Sequence, residues 1–177
     1  MKVIILCGGE GTRLKEETEF RPKPLVEIGG KPILWHIMKI YSSYGFNNFV
    51  LGLGYKGEMI KDYFTKNNPD SFNMAFIDTG LKSLTGERIR LLTEHLDGED
   101  FMVTYGDGVA NVDIKKLLEF HQTQNTIGTI TGVHPATRFG LIEKDEQTKK
   151  IKGFHQVTVV SMSRDRENIQ EIRHIPS

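Results

Sequence analysis

Three glycines broken by polar residues, Gly8-Gly9-Glu10-Gly11-Thr12-Arg13-Leu14, directly follow a short apolar run, Val3-Ile4-Ile5-Leu6. Glycines at the end of a strand let backbone N–H groups approach phosphate oxygens with no Cβ in the way. Arg13 adds a planar fork suited to two phosphate oxygens, and Thr12 adds a hydroxyl. The run fits neither of two familiar fingerprints. The dinucleotide pattern GxGxxG needs glycine where Leu14 stands, and the Gly-Lys-Ser/Thr of a Walker A loop is replaced by Gly11-Thr12-Arg13. Glycines alone would equally make a tight strand-to-helix turn without a ligand; Thr12 and Arg13 favour phosphate.

Further on, Arg21-Pro22-Lys23-Pro24 sets a lysine between two prolines, whose fixed φ angles restrict where it can point. Lys23 is either a preplaced charge for a phosphate or part of a rigid exposed loop. Thr104-Tyr105-Gly106-Asp107-Gly108 closes another apolar run. A carboxylate there suits Mg²⁺, which takes one or two carboxylates and completes its shell with water and substrate phosphates; the alternative is a turn aspartate binding local amides. In the segment Asp78 to Arg88, Ser83, Thr85 and Arg88 could meet an anion or a base edge, while Thr85 serves equally as a helix N-cap. The six histidines lack His-Glu-x-x-His spacing, Cys7 alone cannot build a zinc site, and no Gly-x-Ser-x-Gly marks a serine nucleophile.

These residues need strands to present them. Val3 to Leu6 reads as a strand buried on both faces. After a loop from Gly8 to about Gly30, Pro32 opens a helix with Ile33, Leu34, Ile37, Met38 and Tyr41 on one face, ending at Gly45. The pattern then predicts strands over 48–53, 74–77, 101–105 and 126–133 and helices over 58–64 and 87–96. A further helix follows Asp113 as N-cap. Such alternation implies an α/β fold, a Rossmann-like, mostly parallel mixed sheet with helices on both faces. Leu141 to Glu143 and Ile151 to Phe154 flank a polar turn and predict a hairpin. The charged stretch from Arg164 onward reads as a solvated helix or disordered tail.

Composition narrows the classes. The chain has 23 Lys plus Arg against 23 Asp plus Glu in 177 residues, so it lacks the general positive field that drives non-specific binding to nucleic acid or anionic membranes. Any anion must be held locally. Apolar runs are too short for a membrane span or a signal peptide, and one cysteine cannot form an internal disulfide, which points to a reducing, cytoplasmic setting. Glycine, 18 of 177 residues or about 10% against a usual ~7%, asks where the backbone approaches a ligand.

In order along the chain, Gly8-Gly9-x-Gly11-Thr12-Arg13-Leu14, Pro22-Lys23-Pro24, Glu27-Ile28-Gly29-Gly30-Lys31-Pro32-Ile33 and Gly106-Asp107 resemble the sugar-1-phosphate nucleotidyltransferase family. Gly30 to Met38, Gly54-Tyr55-Lys56-Gly57, Asp78-Thr79-Gly80 and Tyr105 to Val109 are most similar to its members that use CTP and glucose 1-phosphate. The resemblance implies Mg²⁺-dependent formation of CDP-glucose and pyrophosphate, in nucleotide-sugar supply for surface polysaccharides such as lipopolysaccharide, by an enzyme for which a homo-oligomer is one open arrangement. It implies that Leu6, Gly8, Gly9, Gly11 and Thr12 hold the nucleotide and Arg13 its outer phosphates. Lys23 would bridge the α-phosphate and the sugar phosphate, Ser83, Arg88, Thr104 and Gly106 would line the nucleotide, and Asp107 would bind the metal. The resemblance covers residues 1 to about 154. The family's Glu-Lys-Pro motif, sugar-binding residues and second metal aspartate have no counterpart after Phe154, and the stretch between Phe64 and Asp78 is short. The expectation is therefore a nucleotidyltransferase domain over 1–155, C-terminally incomplete, and a divergent charged tail over 156–177. Alternatives are a non-catalytic nucleotide-binding or assembly module of the same fold and a relative using another nucleotide or sugar phosphate. A nicotinamide-binding Rossmann domain is disfavoured by Leu14 and by the lack of a matching acidic residue.

Overall fold

Val3, Ile4 and Ile5 can all be apolar only in a strand covered on both sides, and they lie at the centre of a four-stranded sheet. The structure, a computed structural model, describes residues 1–9, 20–124, 126–132, 141–145, 147–148 and 150–155. In chain order the elements are β1 (Lys2–Leu6), a 3₁₀ turn (Lys23–Leu25), β2 (Glu27–Ile28), β3 (Lys31–Pro32) and α1 (Ile33–Ser43). Next come β4 (Asn48–Leu53), α2 (Gly57–Lys66), β5 (Asn73–Asp78), α3 (Thr85–Thr93), β6 (Phe101–Tyr105) and α4 (Ile114–Gln124), and last β7 (Leu141–Lys144) and β8 (Ile151–His155). The residues divide into two units, one Met1–Lys116 and one starting at Leu117.

In the first unit the sheet order is β5-β4-β1-β6, every neighbouring pair parallel. Because side chains alternate across a strand, β1 feeds two cores. Val3 and Ile5 join Phe49, Leu51, Leu34, Met38, Ile60 and Phe64 under α1 and α2. Ile4 and Leu6 join Val50, Leu92 and Leu96 under α3. The Gly29-Gly30 pair, read as a loop breaker, is the turn of a miniature hairpin between β2 and β3: both glycines have positive φ (59° and 76°), the geometry of a two-residue hairpin that L side chains adopt at a cost. In the second unit β7 and β8 form the expected antiparallel hairpin.

Three expectations are corrected. Residues 126–132 form no strand: Ile127 and Ile130 are exposed and no partner strand is paired with them among the described residues, and β-branched composition without a ladder does not make a strand. The helix expected over 87–96 starts at Thr85 and ends at Thr93, giving way to tight turns in which His95 and Leu96 donate to Leu92 and Thr93 carbonyls. Thr85 is inside that helix, not its N-cap, which is Leu84. Asp113 does cap α4, accepting from the Lys116 N–H at 3.1 Å.

Candidate active site

The chain runs from β1 outward through β4 to β5, then returns to place β6 on the other side of β1, so the winding reverses between β1 and β6. In open α/β sheets the crevice at the carboxyl ends of such a pair is where ligands bind. The residues after these strands meet there. The Gly106 N–H donates to the Leu6 carbonyl at 2.9 Å. A Cβ on Gly106 would lie 2.6 Å from Cys7 Sγ and 3.4 Å from Pro24 Cγ, so the bare glycine lets the strand end pack against both. Pro24 brings Lys23 with it. The turn is fixed by Leu25 N–H to Pro22 O (2.9 Å) and Val26 N–H to Lys23 O (3.0 Å), and both prolines are buried. Of the two readings of Pro-Lys-Pro, the prolines are therefore anchored and the lysine alone emerges. Lys23 Nζ stands 3.6 Å from Asp107 Oδ2, an ion pair rather than a hydrogen bond, with the carboxylate side chain 44% exposed. Burial, reinforced by the charge of Asp107, pushes the Cys7 thiol well above the ordinary cysteine range, so it stays protonated and is no nucleophile.

On the other side of β1, Arg88 is buried beneath Gly8. Its Nη1 donates to Leu53 O (3.1 Å) and Thr79 Oγ1 (2.5 Å), and its Nη2 to Gly8 O (3.1 Å) and Leu81 O (3.2 Å). The Thr79 hydroxyl in turn donates a hydrogen bond to Leu53 O at 2.6 Å. Burial pulls the guanidinium pKa down from its ordinary value while the nearby Asp78 charge opposes this; an arginine remains ionised under such a shift. Gly8 and Gly54 are glycines because a Cβ on either would run into the Arg88 guanidinium. Ser83 Oγ donates to Thr79 O at 2.5 Å.

Of the residues singled out from sequence, the first unit brings Leu6, Gly8, Gly9, Lys23, Gly106 and Asp107 to the ends of β1 and β6, with Arg88 and Ser83 behind Gly8 at the ends of β4 and β5. Thr104 lies one residue deeper, paired in register with Ile5, and shares a side-chain hydrogen bond with Tyr41. Gly11, Thr12 and Arg13 lie outside the described residues. Sequence reasoning missed Thr79, the buried hydroxyl that Arg88 and Leu53 share; the only signal was its place in Asp78-Thr79-Gly80. No three His, Cys, Asp or Glu side chains converge among the described residues, so the crevice offers the single carboxylate of Asp107. That donor set fits a hard divalent cation that shares its shell with water and a ligand's phosphates. Among the described residues no helix is long and apolar enough to cross a membrane.

Comparison with known proteins gives a consistent picture. Residues 2–156 match the nucleotidyl transferase family. A probable glucose-1-phosphate cytidylyltransferase of Bacillus subtilis is 44% identical, over 85% of this chain and 67% of its own length. The glucose-1-phosphate cytidylyltransferase of Salmonella typhi is 42% identical, over 88% and 68%. Among solved structures, HddC from Yersinia pseudotuberculosis, complexed with GMP-PN, superposes with a TM-score of 0.63 at 30% identity, covering 88% of this chain and 68% of that one. A putative glucose-1-phosphate thymidylyltransferase from Bacillus anthracis, 19% identical with a TM-score of 0.65, shares the fold, covering 89% and 65%.

Proposed function

Because the chain belongs to the nucleotidyl transferase family, whose cytidylyltransferase relatives act on glucose 1-phosphate, we propose that it joins CTP and glucose 1-phosphate to give CDP-glucose and pyrophosphate. The observation that carries this reading is the Lys23–Asp107 pair, a cation and a carboxylate 3.6 Å apart beside a glycine loop at the switch point of the sheet. A phosphate-monoester oxygen of glucose 1-phosphate attacks the α-phosphorus of CTP. The bond from that phosphorus to the bridging oxygen breaks, and pyrophosphate leaves with the electron pair. A sugar phosphate with a second pKa of about 6 is mostly dianionic at neutral pH, so no general base is required. The protein's work is to hold two anions in line and offset charge as the leaving group departs.

In this reading Lys23 lies between the α-phosphate and the incoming phosphate, a position that its buried prolines hold without a mobile backbone. Gly8 and Gly9, with Gly11 and Thr12, receive the nucleotide, and Arg13 its outer phosphates. Leu6 and Gly106 close the crevice floor, while Ser83 and Thr104 shape its sides. Asp107 would hold Mg²⁺, which when bound supplies Lewis-acid polarisation of the phosphates. Incubating the chain with CTP, glucose 1-phosphate and Mg²⁺ should release pyrophosphate and CDP-glucose in equal amounts. Turnover with dTTP or UTP in place of CTP would reassign the base, and CTP binding by calorimetry with no turnover at high enzyme would make the chain a nucleotide-binding module.

A further inference from the structure

Where the start of α1 meets the end of α2 and the loop after it, the first unit holds a cavity of about 370 Å³, lined among others by Lys31, Trp35, Tyr63 and Lys66. Small-molecule sites run from about 300 to 1,000 Å³. None of its lining residues is among those that meet at the ends of β1 and β6. Trp35 and Tyr63 are half-buried and pack on the rim of the core under α1 and α2. The Trp35 indole N–H donates to Asp70 Oδ2 at 2.8 Å, which satisfies the ring's one polar group and fixes its plane. The loop carrying Asp70 is itself pinned, because the Asn68 side chain accepts from the Phe72 N–H and donates to the Phe72 carbonyl, both at 2.9 Å.

The charges beside these rings do not balance. Asp70 takes Lys39 Nζ at 2.5 Å. The charge of Lys31 also reaches Asp70, but the carboxylate is bonded to Lys39. Neither Lys31 nor Lys66 is in an ion pair among the described residues. Lys31 Nζ stands 5.7 Å from the centre of the Trp35 ring, at the outer limit of a cation–π contact, which leaves its charge uncompensated. A lone surface lysine is ordinarily just solvated. Here two of them, from separate elements, line one cavity together with two half-buried rings, in a chain whose net charge is zero.

We propose that this cavity is a second ligand site, for a small ring compound carrying a phosphate group. Lys31 and Lys66 take the phosphate, and the ring lies against Trp35 and Tyr63. A phosphate monoester carries about −1.5 to −2 charge at neutral pH, which matches two ammonium groups where a carboxylate would match one. Lysine binds phosphate as a point charge, without the fixed fork that arginine needs. A sugar phosphate and a nucleoside monophosphate share this chemistry.

Trp35 is the chain's single tryptophan, so its fluorescence reports on the site directly. The full chain is titrated with glucose 1-phosphate, with CMP and with inorganic phosphate. At least one ring compound should change the emission saturably with a Kd below about 1 mM, and inorganic phosphate should bind about tenfold or more weakly. The tighter of the two ring compounds identifies the source. In the double variant Lys31→Ala, Lys66→Ala the affinity should fall about tenfold or more, while the urea midpoint, to which unpaired lysines contribute little, stays in place. A response that keeps parental affinity in the folded double variant comes from elsewhere in the chain and overturns the proposal. So does the absence of a response to both ring compounds, or inorganic phosphate binding as tightly as either. If the double variant does not fold, Lys66→Glu, at the exposed end of α2, must give the same loss, and parental affinity there overturns the proposal. None of these outcomes depends on turnover, so failure of the nucleotidyl transfer reading is seen separately, in the pyrophosphate assay.

Discussion

Replacing Gly106 by alanine strikes the contact that joins the two sides of the crevice. The new Cβ would lie 2.6 Å from Cys7 Sγ, 3.3 Å from Leu6 O and 3.4 Å from Pro24 Cγ. Non-bonded heavy atoms settle near 3.5–4.0 Å, so about 1 Å must be found against the sulfur. Little can yield: Cys7 is buried, Leu6 belongs to the central strand, and its carbonyl is already bonded to the Gly106 N–H. Overpacking of this kind costs about 1–3 kcal/mol, which at ~2–4 °C per kcal/mol for a chain of this size lowers Tm by roughly 2–12 °C. Removing the sulfur should relieve it. In a urea-denaturation cycle of the parent, Cys7→Ala, Gly106→Ala and the double variant, the alanine at 106 should cost at least about 1 kcal/mol less when Cys7 is absent. Because Asp107 is the next residue, the KM for CTP should rise in Gly106→Ala and partly recover in the double variant. An equal cost of Gly106→Ala in both backgrounds would refute the argument that the Cys7 contact sets the position of this strand end.

Lys23→Ala should change Tm little, since its ion pair is long at 3.6 Å and the Asp107 carboxylate is half in water, while kcat for pyrophosphate release falls about 10²–10³-fold; retained kcat would remove Lys23 from the transition state. Asp70 accepts from Lys39 Nζ and from Trp35 Nε1, the lysine bond foremost, which holds its carboxyl below the ordinary range. A depressed folded-state pKa adds stability that is present above the unfolded value of about 3.9 and lost as pH falls through the folded one. Asp70→Asn should therefore flatten the decline of the urea midpoint on acidification below about pH 5, and an unchanged slope would show that this carboxylate is not what acid titrates. Phe64→Ala, emptying a site only 1% exposed between α2 and the sheet, should cost about 3–5 kcal/mol in the same assay; a loss under 1 kcal/mol would mean that the core there collapses to fill the cavity.

How much of this could be read from sequence depended on the range of the interaction. Val3 to Leu6, Asn48 to Leu53 and Phe101 to Tyr105 announce themselves as strands because burial on both faces forces continuous apolar runs, and the glycine and aspartate motifs at their ends follow from that. Neither the 3.6 Å approach of Lys23 to Asp107 nor the place of Arg88 under Gly8 could be read this way. The first depends on β6 pairing with β1 instead of β5; the second depends on carbonyl oxygens, which every residue possesses and no residue type signals. The strand expected over 126–133, absent from the described residues 126–132, shows the reverse failure, since a β-branched composition records a preference for a partner without supplying one. The β2–β3 hairpin was missed because two-residue strands leave no periodicity, although Gly29-Gly30 is the turn chemistry such a hairpin needs.

The zero net charge of the chain places a constraint on how it attracts a nucleotide, and the crevice meets it in two different ways. Lys23 has its charge partly offset by Asp107, but across 3.6 Å with the carboxylate half in water, a pair worth little and readily broken by a phosphate on one side and a cation on the other. Arg88 has no carboxylate among its hydrogen-bond partners, and its field is moderated by carbonyl dipoles and by the nearby charge of Asp78. Screening by solvent weakens the first and hardly reaches the second. In the nucleotidyl transfer reading, the buried charge therefore gives a standing attraction at the Gly8-Gly9 turn that persists at high salt, while the exposed pair is the part that rearranges when substrates arrive. Raising ionic strength from 0.05 to 0.5 M should accordingly weaken the contribution of Lys23 to CTP binding more than that of Arg88, and equal salt dependence of the Lys23→Ala and Arg88→Lys losses would contradict this division.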